Sequence, residues 1–553
     1  MLNTPLLIHE KIDENAKIYP ARTAIKGPDG SITYSELDAK SDKIAHFFFD
    51  KSSNSAARQP IVPIISYPKV DLVVTLLGIM KAGYAYAIID PSNPPRRIQS
   101  MIETLSLGRN SLIVDDKNLL NDQIKAAHFE SCSIEYLLSK SFGETATATK
   151  NTVSAEDLCY VTFTSGSTGT PKAVAVKHGG WANLLEYFEQ YFNLTDSDDN
   201  ALSTAIGFDI SQRGMFSPLY IGSCLHIPTE GKVDILNLAT CIRENSISTI
   251  HCAPSTLYLL AEIFGQSSQL SSLKYAFIGG ERLNVENLRP WIESKDFSCK
   301  LVHQYGVAEC TDVATSKILD SPTDYYGRAV PLGCPIFNTT VHLTSDSEIA
   351  IGGRAVGAGY INLPEMTDAR FRADPCNSGR LYLTGDKGRL NSNGELFHDG
   401  RIDSQVKING MLLNLDELER YILHTQQPNQ AAAVKYEPLL DLTQKPSTQT
   451  SELIAVVSTT KRVTDADHAL KVLRDIRNSL TQVVPAHMLP TRYFLMNKLP
   501  ISENGKTDRK LLQSVSYFSN EWRTQNEITA LDKAELFNYS PKKTPIYGAT
   551  PDE

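Results

Sequence analysis

The chain has 553 residues, with 54 Lys and Arg against 63 Asp and Glu, a net charge of −9, and 41% hydrophobic and 8% aromatic residues. That length exceeds a single core and predicts roughly three to four domain-sized units of ordinary globular composition. The acidic balance excludes a sequence-independent nucleic-acid binder, which needs a basic excess, but leaves room for a nucleotide held by a local positive site.

At the amino end, Met1 to Glu10 lacks a basic region followed by a long apolar segment, so no signal peptide is expected. The most apolar run, Leu72 to Met80, is bounded by Asp71 and Lys81 and is far shorter than a membrane span; it predicts a buried helix and no membrane partner. Ile61–Ser66 reads as a strand, Val70–Lys81 as a helix, and Tyr84–Ile89 as a strand ending in Asp-Pro. Ser52–Ser55 and Thr145–Thr152 read as exposed loops, with a strand at Leu112–Asp115 between them. Nine cysteines are scattered without a Cys-x-x-Cys pair, which predicts reduced thiols in a cytoplasmic protein over a disulfide framework or zinc site.

Tyr160–Phe163, β-branched and aromatic, is a buried-strand pattern that empties into Thr164-Ser-Gly-Ser-Thr-Gly-Thr-Pro-Lys172. Glycines let backbone N–H groups approach an anion, hydroxyls add donors, and Lys172 adds charge, which is the chemistry of a phosphate cradle. The Walker spacing is absent, and a Ser/Gly-rich surface turn is the local alternative. Strands at Thr249–Cys252 and Tyr275–Ile278, the latter running into Gly279-Gly280-Glu281, continue an α/β alternation whose Gly-rich turns fall where such sheets bind ligands.

From 338 to 400 the texture changes to short strands at Val341–Leu343, Glu348–Ile351, Leu381–Thr384 and Glu395–His398, a pattern of hairpins or a small barrel. From Arg401 a compact α+β unit follows, with strands at Gln405–Ile408 and Leu453–Ser458 and helices at Leu415–Gln426 and Ala466–Val484. The polar stretch from about 515 to 553 reads as a linker.

Segments in fixed order carry a resemblance. They are Lys81 to Pro91, the Tyr160–Lys172 stretch, Phe208-Asp-Ile-Ser211, Tyr305-Gly-Val-Ala-Glu309, Gly357 to Asn362, Thr384-Gly-Asp386, Gly400 to Gly410, and Asn504-Gly-Lys506. From about residue 8 to residue 512 the chain resembles an adenylation domain of a nonribosomal peptide synthetase, within the superfamily of acyl- and aryl-CoA ligases and luciferases. The resemblance implies a large adenylate-forming domain over 1–402, built of two α/β subdomains and a small β-barrel-like one. It further implies a small mobile α+β domain over 403–514 and a linker toward a carrier domain over 515–553.

By that resemblance the reaction activates an amino acid with ATP and Mg²⁺, releasing pyrophosphate, then loads a phosphopantetheine thiol of a downstream peptidyl carrier domain. An anionic nucleophile must approach an anionic phosphate, so positive charge is needed where the transition state is most negative. Lys506 matches that role, although its local setting alone suits a solvated lysine. Glu309 matches the Mg²⁺ ligand. The ATP contacts implied are Thr164, Ser165, Gly166, Ser167, Thr168, Gly169, Lys172, Gly280, Glu281, His303, Gln304, Tyr305 (stacked on adenine), Gly306, Asp386 (on the ribose hydroxyls) and Arg401. Asp386 alone reads as a turn-capping acid after Thr-Gly. Asp403 matches a hinge.

Asp209 matches the carboxylate that pairs with the substrate ammonium, with a helix N-cap as its local alternative. The side-chain pocket is implied to comprise Ile210, Arg213, His251, Phe277, Gly279, Gln304, Asp312 and Val313, with Gly279 and Gly214 leaving room. Arg213 and His251 suit a carboxylate, as in an aminoadipate-type substrate; Asp312 and Gln304 suit an amide or hydroxamate, as in an acylated N-hydroxyornithine; a lining that is internally paired or partly solvent-filled is the alternative. The chain is similar in tone to fungal hydroxamate-siderophore (ferrichrome-type) synthetases.

The chain departs from the pattern at Val307-Ala308, where Pro-Thr is usual, at His303 for Asn, at Asn409 for Arg, and at Asn414 and Asp416 for Glu and Gly. No carrier, condensation or reductase motif is present in the chain, which predicts an excised module or an enzyme serving a carrier in trans. Two competing readings remain: a CoA ligase for a non-amino acid, independent of Asp209, and a degenerate nucleotide-binding module prompted by Val307-Ala308.

Overall fold

The computed structural model describes residues 6–52, 61–107, 111–116, 120, 129–139, 153–164, 171–375, 378–403, 405–408, 411–425, 428, 430–436, 452–458, 466–496, 499, 512 and 529–531. The chain divides into two compact units. The first comprises 1–92, 99–164 and 172–403; the second comprises the residues from 404 on with short segments from earlier in the chain.

The first unit holds mixed α/β sheets. A seven-stranded sheet runs in the order Gly359–Tyr360, Lys172–Lys177, Leu158–Thr164, Ala85–Ile89, Ile61–Ile65, Leu112–Asp115 and Glu130–Cys132. The last five strands pair in parallel. Thr164 and Lys172 face each other across an antiparallel pair, so the phosphate-loop candidate joins two neighbouring strands. The sequence pattern predicts the first of these strands and not the returning one.

Helix Val70–Lys81 is apolar on every side and buried along its length apart from Asp71, the pattern of a helix enclosed by protein. Its neighbour Tyr34–Ser52 approaches so closely that a Cβ at Gly78 would lie 2.6 Å from Ile44 Cβ. Lys81 ends the helix in ion pairs with Asp13 at 2.8 Å, Asp38 at 2.5 Å and Asp42 at 2.7 Å. A cation at a helix C-terminus complements the macrodipole, and three carboxylates offset its burial. The lysine that opens the Lys81–Pro91 segment is thus structural.

A nine-stranded sheet has the order Cys334–Pro335, Thr315–Leu319, Lys300–Tyr305, Tyr275–Ile278, Thr249–Cys252, Asn200–Ala201, Leu225–His226, Thr23–Gly27 and Gly30–Thr33. Its centre, from Lys300–Tyr305 to Thr23–Gly27, is parallel. One continuous core joins helices and strands of both sheets, including Trp181, Phe188, Phe216, Phe277 and Tyr160. A five-stranded antiparallel sheet follows, with Thr339–Leu343, Glu348–Gly353, Arg380–Leu390 and Phe371–Ala373 in order and Leu396–Arg401 beside Arg380–Leu390. Its longest strand runs through Asp386, which sequence reasoning placed in a turn.

The second unit has its own core, in which Leu418, Ile422, Ala455, Val457, Leu473, Ile476 and Tyr493 pack together. Strands Gln430–Tyr436, Glu452–Ser458, Arg492–Met496 and Thr529–Leu531 form its sheet, and Gln405–Ile408 pairs with Met411–Asn414. The predicted helices there end earlier than expected, at His424 and Leu480.

Among the described residues no helix is long and apolar enough to cross a membrane.

Candidate functional site

The parallel strands of the nine-stranded sheet bring their carboxyl ends into one row. His251 pairs with Phe277 and Cys252 with Ile278, while Phe277 pairs with Val302 and Ile278 with His303. Gly279, Gly280 and Gln304–Gly306 therefore emerge side by side, where parallel sheets bind ligands.

Asp209 opens helix Asp209–Ile221; the N-cap is Phe208, extended at φ −112° and ψ 149°. The N-cap alternative for Asp209 is thereby corrected by one residue. Its Oδ1 accepts the Ile210 N–H at 2.9 Å, and the side chain is half-buried. A carboxylate in the first turn is favoured by the helix dipole.

Arg213 lies one turn on, hence on the same helix face as Asp209, and is 0% exposed. Its Nη1 donates to Gln304 Oε1 at 2.5 Å. Its Nε lies 3.2 Å from Asp312 Oδ2, an ion pair bent too far for a hydrogen bond. Arg213 thus joins Gln304 and Asp312 in one internally paired group, one of the alternatives the sequence left open. Ile210 and Val313 are buried beside them in sequence.

Asp312 reaches Arg213 because the chain from Gly306 to Ala314 folds back tightly. The Ala314 N–H donates to the Tyr305 carbonyl at 2.8 Å and the Asp312 N–H to that of Val307 at 3.2 Å. Thr311 and Asp312 both take positive φ, 56° and 70°. Such left-handed residues cost of order 1–3 kcal/mol each and concentrate at functional sites. A Cβ on Gly306 would overlap the Asp312 carbonyl oxygen, so glycine is obligatory there.

His251 stacks on Phe277 at 4.7 Å, with Phe188 edge-on at 5.1 Å. Burial, reinforced by Arg213, holds its imidazole well below the usual range, so it is neutral. Both its ring nitrogens, Arg213 Nη2, Gln304 Nε2 and the Tyr160 hydroxyl are buried without a hydrogen-bond partner among the described residues. A Cβ at Gly279 would come within 3.4 Å of Arg213 Nη2, so the glycine leaves that nitrogen uncovered. A Cβ at Gly214 would instead meet Leu202 and Asn200, so the room expected there lies against other residues.

A second group gathers on the central strand Arg380–Leu390. Asp386, 1% exposed, accepts from Tyr305 Oη on Oδ2 at 2.8 Å and from Arg401 Nη1 on Oδ1 at 2.8 Å, with His398 Nε2 at 3.2 Å from Oδ1. Arg401 also holds Asp403, through Nε at 2.7 Å and Nη2 at 2.9 Å. Tyr305, Asp386, Arg401 and Asp403 are one hydrogen-bonded chain. His303 Nδ1 meets the Pro331 carbonyl at 2.9 Å, Gly280 takes φ +88°, and Glu281 accepts the Ser255 N–H at 3.4 Å.

Glu309, 5% exposed, accepts from the Tyr360 hydroxyl at 2.8 Å, and Tyr382 Oη follows at 3.0 Å from that of Tyr360. The Lys172 ammonium lies 5.4 Å from the Tyr360 ring centroid. Burial lowers the Lys172 pKa, and Glu309 opposes that shift. A buried carboxylate with one oxygen fixed by a phenol is a hard oxygen ligand and fits Mg²⁺ shared with phosphates. Val307 and Ala308, the departure from Pro-Thr, are buried in a core with Val174 and Leu332.

In the second unit Asn414 accepts the Asp416 and Glu417 N–H groups as the N-cap of helix Leu415–His424. That gives two of the departures a capping role. Ser165, Gly166, Ser167, Thr168, Gly169, Lys506 and Asn409 lie outside the described residues, as do most of the predicted loops and the tail.

Sequence reasoning missed Tyr160, Tyr360, Tyr382 and His398. Tyr160 and Tyr360 stood inside segments already singled out, and a phenol in a buried strand was the available signal. A metal-ligating geometry also occurs elsewhere: Asp199, Cys224 and His226 place potential ligand atoms within 4.8 Å. There His226 Nε2 and Asp199 Oδ2 are hydrogen-bonded at 3.2 Å, and burial pushes the Cys224 thiol up to about 12, so the group reads as an internal hydrogen-bonded pair beside a protonated thiol.

Residues 12–361 match the family described as AMP-binding enzyme. The chain is similar to surfactin synthase subunit 2 of Bacillus subtilis, 30% identical over 526 residues, covering 92% of this chain and 14% of the relative. Gramicidin S synthase 1 of Brevibacillus brevis is 28% identical, covering 91% of this chain and 44% of the relative. Nonribosomal peptide synthetase 30 of Fusarium vanettenii is also 28% identical, over 92% of this chain and 9% of its own length. The chain thus spans less than half of each of these relatives. The fold matches a solved nonribosomal peptide synthetase protein containing adenylation and PCP domains, with TM-score 0.77, 22% identity and coverage of 93% and 84%. It also matches o-succinylbenzoate CoA synthetase of Bacillus subtilis, with TM-score 0.75, 17% identity and coverage of 91% and 98%.

Proposed function

The chain belongs to the AMP-binding enzymes, which are adenylate-forming ligases, and we propose that it activates the carboxylate of an amino acid with ATP and passes it to a carrier thiol. The observation that carries the reading is Asp209, held at a helix N-terminus one turn from the buried Arg213 cluster. A fixed carboxylate beside a buried polar cluster suits a substrate with an ammonium near its reacting carboxylate and a polar side chain beyond.

In this reading Asp209 pairs with the α-ammonium and leaves the carboxylate facing the nucleotide. The chain from Tyr305 through Asp386 to Arg401 and Asp403 holds the nucleoside in one orientation, which converts an encounter into a near-attack arrangement. Bound Mg²⁺ supplies charge stabilisation at the phosphates; Glu309, steadied by Tyr360, is the residue that would hold it. Lys506 supplies positive charge at the reacting groups, and the Ser165–Gly169 loop with Lys172 steadies departing pyrophosphate. Asp403 serves as the hinge of the small domain.

The acceptor in this reading is a phosphopantetheine arm of a peptidyl carrier domain. Supporting it, relatives of this chain are synthases several times its length, and one solved structure of the same fold contains adenylation and PCP domains. The setting is cytoplasmic, in keeping with described cysteines that are all free. For the substrate we propose a large polar amino acid, an N-acyl-N-hydroxyornithine of siderophore biosynthesis, on the strength of the polar wall; an aminoadipate-type acid is the alternative that the exchange assay separates from it.

The test is substrate-dependent exchange of labelled pyrophosphate into ATP. Exchange driven by amino acids supports the reading; exchange driven only by acids lacking the amino group replaces it with a CoA ligase reaction.

A further inference from the structure

Building on the amino-acid activation proposed above, we infer that the pocket selects a long side chain that is uncharged and rich in hydrogen-bond acceptors, and rejects one that ends in a carboxylate. Both the charges and the unpaired atoms of the pocket point that way.

The charges close on themselves. Arg213 contributes one positive charge and Asp312, 3.2 Å away, one negative charge. His251 is neutral because burial and Arg213 disfavour its charged form. Asp209 is matched by the ammonium that every α-amino acid carries. A carboxylate arriving beside Arg213 would compete with Asp312 and leave one anion buried without a counter-charge. An ammonium would leave a cation in the same condition. Either is costly away from water.

The unpaired atoms are mostly donors. Arg213 Nη2 and Gln304 Nε2 carry hydrogens and accept nothing; Tyr160 Oη and one nitrogen of His251 can also donate. Tyr160 lies within electrostatic reach of both Asp209 and Asp312. Arg213, Gln304, His251 and Tyr160 are all at most 2% exposed. Buried donors left empty are expensive, and a site built around them discriminates strongly against a substrate that offers no acceptor. An aliphatic side chain leaves all of them empty; a carbonyl satisfies several with no added charge. Gly279 keeps Arg213 Nη2 within reach of such a group.

Asp312 is then the specificity-determining residue. It acts through Arg213, by cancelling a charge that would otherwise favour an anion. Its left-handed backbone is built for that placement and is one that Asn also tolerates.

The experiment is pyrophosphate exchange with matched pairs, glutamine against glutamate and 2-aminoadipamide against 2-aminoadipate, together with norleucine, ornithine and an Nδ-acyl-Nδ-hydroxyornithine. In the unmodified protein the neutral member of each pair should exceed the acid in kcat/KM by at least about tenfold, and norleucine and ornithine should trail both. In Asp312→Asn the acid-to-neutral ratio should rise by about tenfold or more, because Arg213 then carries an unopposed charge. A retained melting temperature for that variant ties the change to the pocket.

A wild-type preference for the acid overturns the inference while leaving amino-acid activation standing. So does an acid-to-neutral ratio unmoved by Asp312→Asn. Exchange with none of the amino acids overturns the activation itself, and the selectivity with it.

Discussion

Replacing Asp209 by Asn removes one negative charge and little else. The helix keeps a polar residue in its first turn, and Asn can still accept the Ile210 N–H that now donates to Oδ1 at 2.9 Å. What disappears is the attraction for the substrate ammonium. Two unit charges about 4 Å apart interact by about 1 kcal/mol in bulk water and about 4 kcal/mol at an effective dielectric near 20. Asp209 is half-buried, between those limits, so about 2–3 kcal/mol is expected, a loss of roughly 30- to 150-fold in kcat/KM. The assay is pyrophosphate exchange with an activated amino acid and with its des-amino analogue, for both proteins. In this double-substitution cycle the loss should shrink below about threefold for the des-amino acid, because the partner charge is already gone. An equal loss with both substrates would show that Asp209 acts through the helix and would refute the assignment.

Other outcomes follow from particular contacts. Tyr360→Phe deletes a hydrogen bond to the Glu309 carboxylate; charge-assisted bonds of this kind contribute about 1.5–3 kcal/mol. Exchange should fall by roughly tenfold or more and the Mg²⁺ requirement should rise, with the amino-acid KM unchanged; a changed amino-acid KM alone would contradict the role. Gly306→Ala places a methyl where the Asp312 carbonyl oxygen already stands. Urea denaturation should register a loss of about 3 kcal/mol or more, and a neutral result would contradict the tight fold-back. His178 is wholly buried, and its imidazole is lowered from 6.5 to about 3 by burial first and His9 second. The unfolded chain therefore binds a proton that the fold refuses. Stability from this group is full above pH 6.5 and falls by about 1.4 kcal/mol per unit as the pH drops from 6.5 toward 3. Unfolding midpoints at pH 7.5 and 5 should differ accordingly, and His178→Gln should flatten that slope; an unchanged slope would mean the ring is protonated in the fold.

Much of the fold was legible because strand and helix periods were clean, as at Val70–Lys81 and Tyr275–Ile278. Asp386 shows where legibility failed. The Thr384-Gly385 before it reads as a turn, yet the strand continues from Arg380 through Gly388 to Leu390. Gly388 is there for packing: a Cβ would lie 2.8 Å from Ile349 Cγ1 and 2.8 Å from Leu343 Cδ2. A glycine required by a neighbouring strand looks, in one dimension, like one required by a turn. The polar wall left a substrate-facing and an internally paired reading open together. Its residue types were readable, but Arg213, Gln304 and Asp312 are distant in sequence, and only tertiary structure makes them one another's partners. Lys81 reversed the usual expectation, since a basic residue in an ordered motif serves a carboxylate cluster and not a ligand.

The central claim is that an amino acid is activated by attack on ATP, with positive charge from Lys506 at the reacting groups. The most direct test is amino-acid-dependent pyrophosphate exchange by the unmodified chain and by Lys506→Ala. Exchange that depends on an amino acid and falls by on the order of a hundredfold in the variant is the predicted result. Exchange that persists undiminished in Lys506→Ala would contradict the role given to the lysine, and its absence with every amino acid would contradict the claim as a whole.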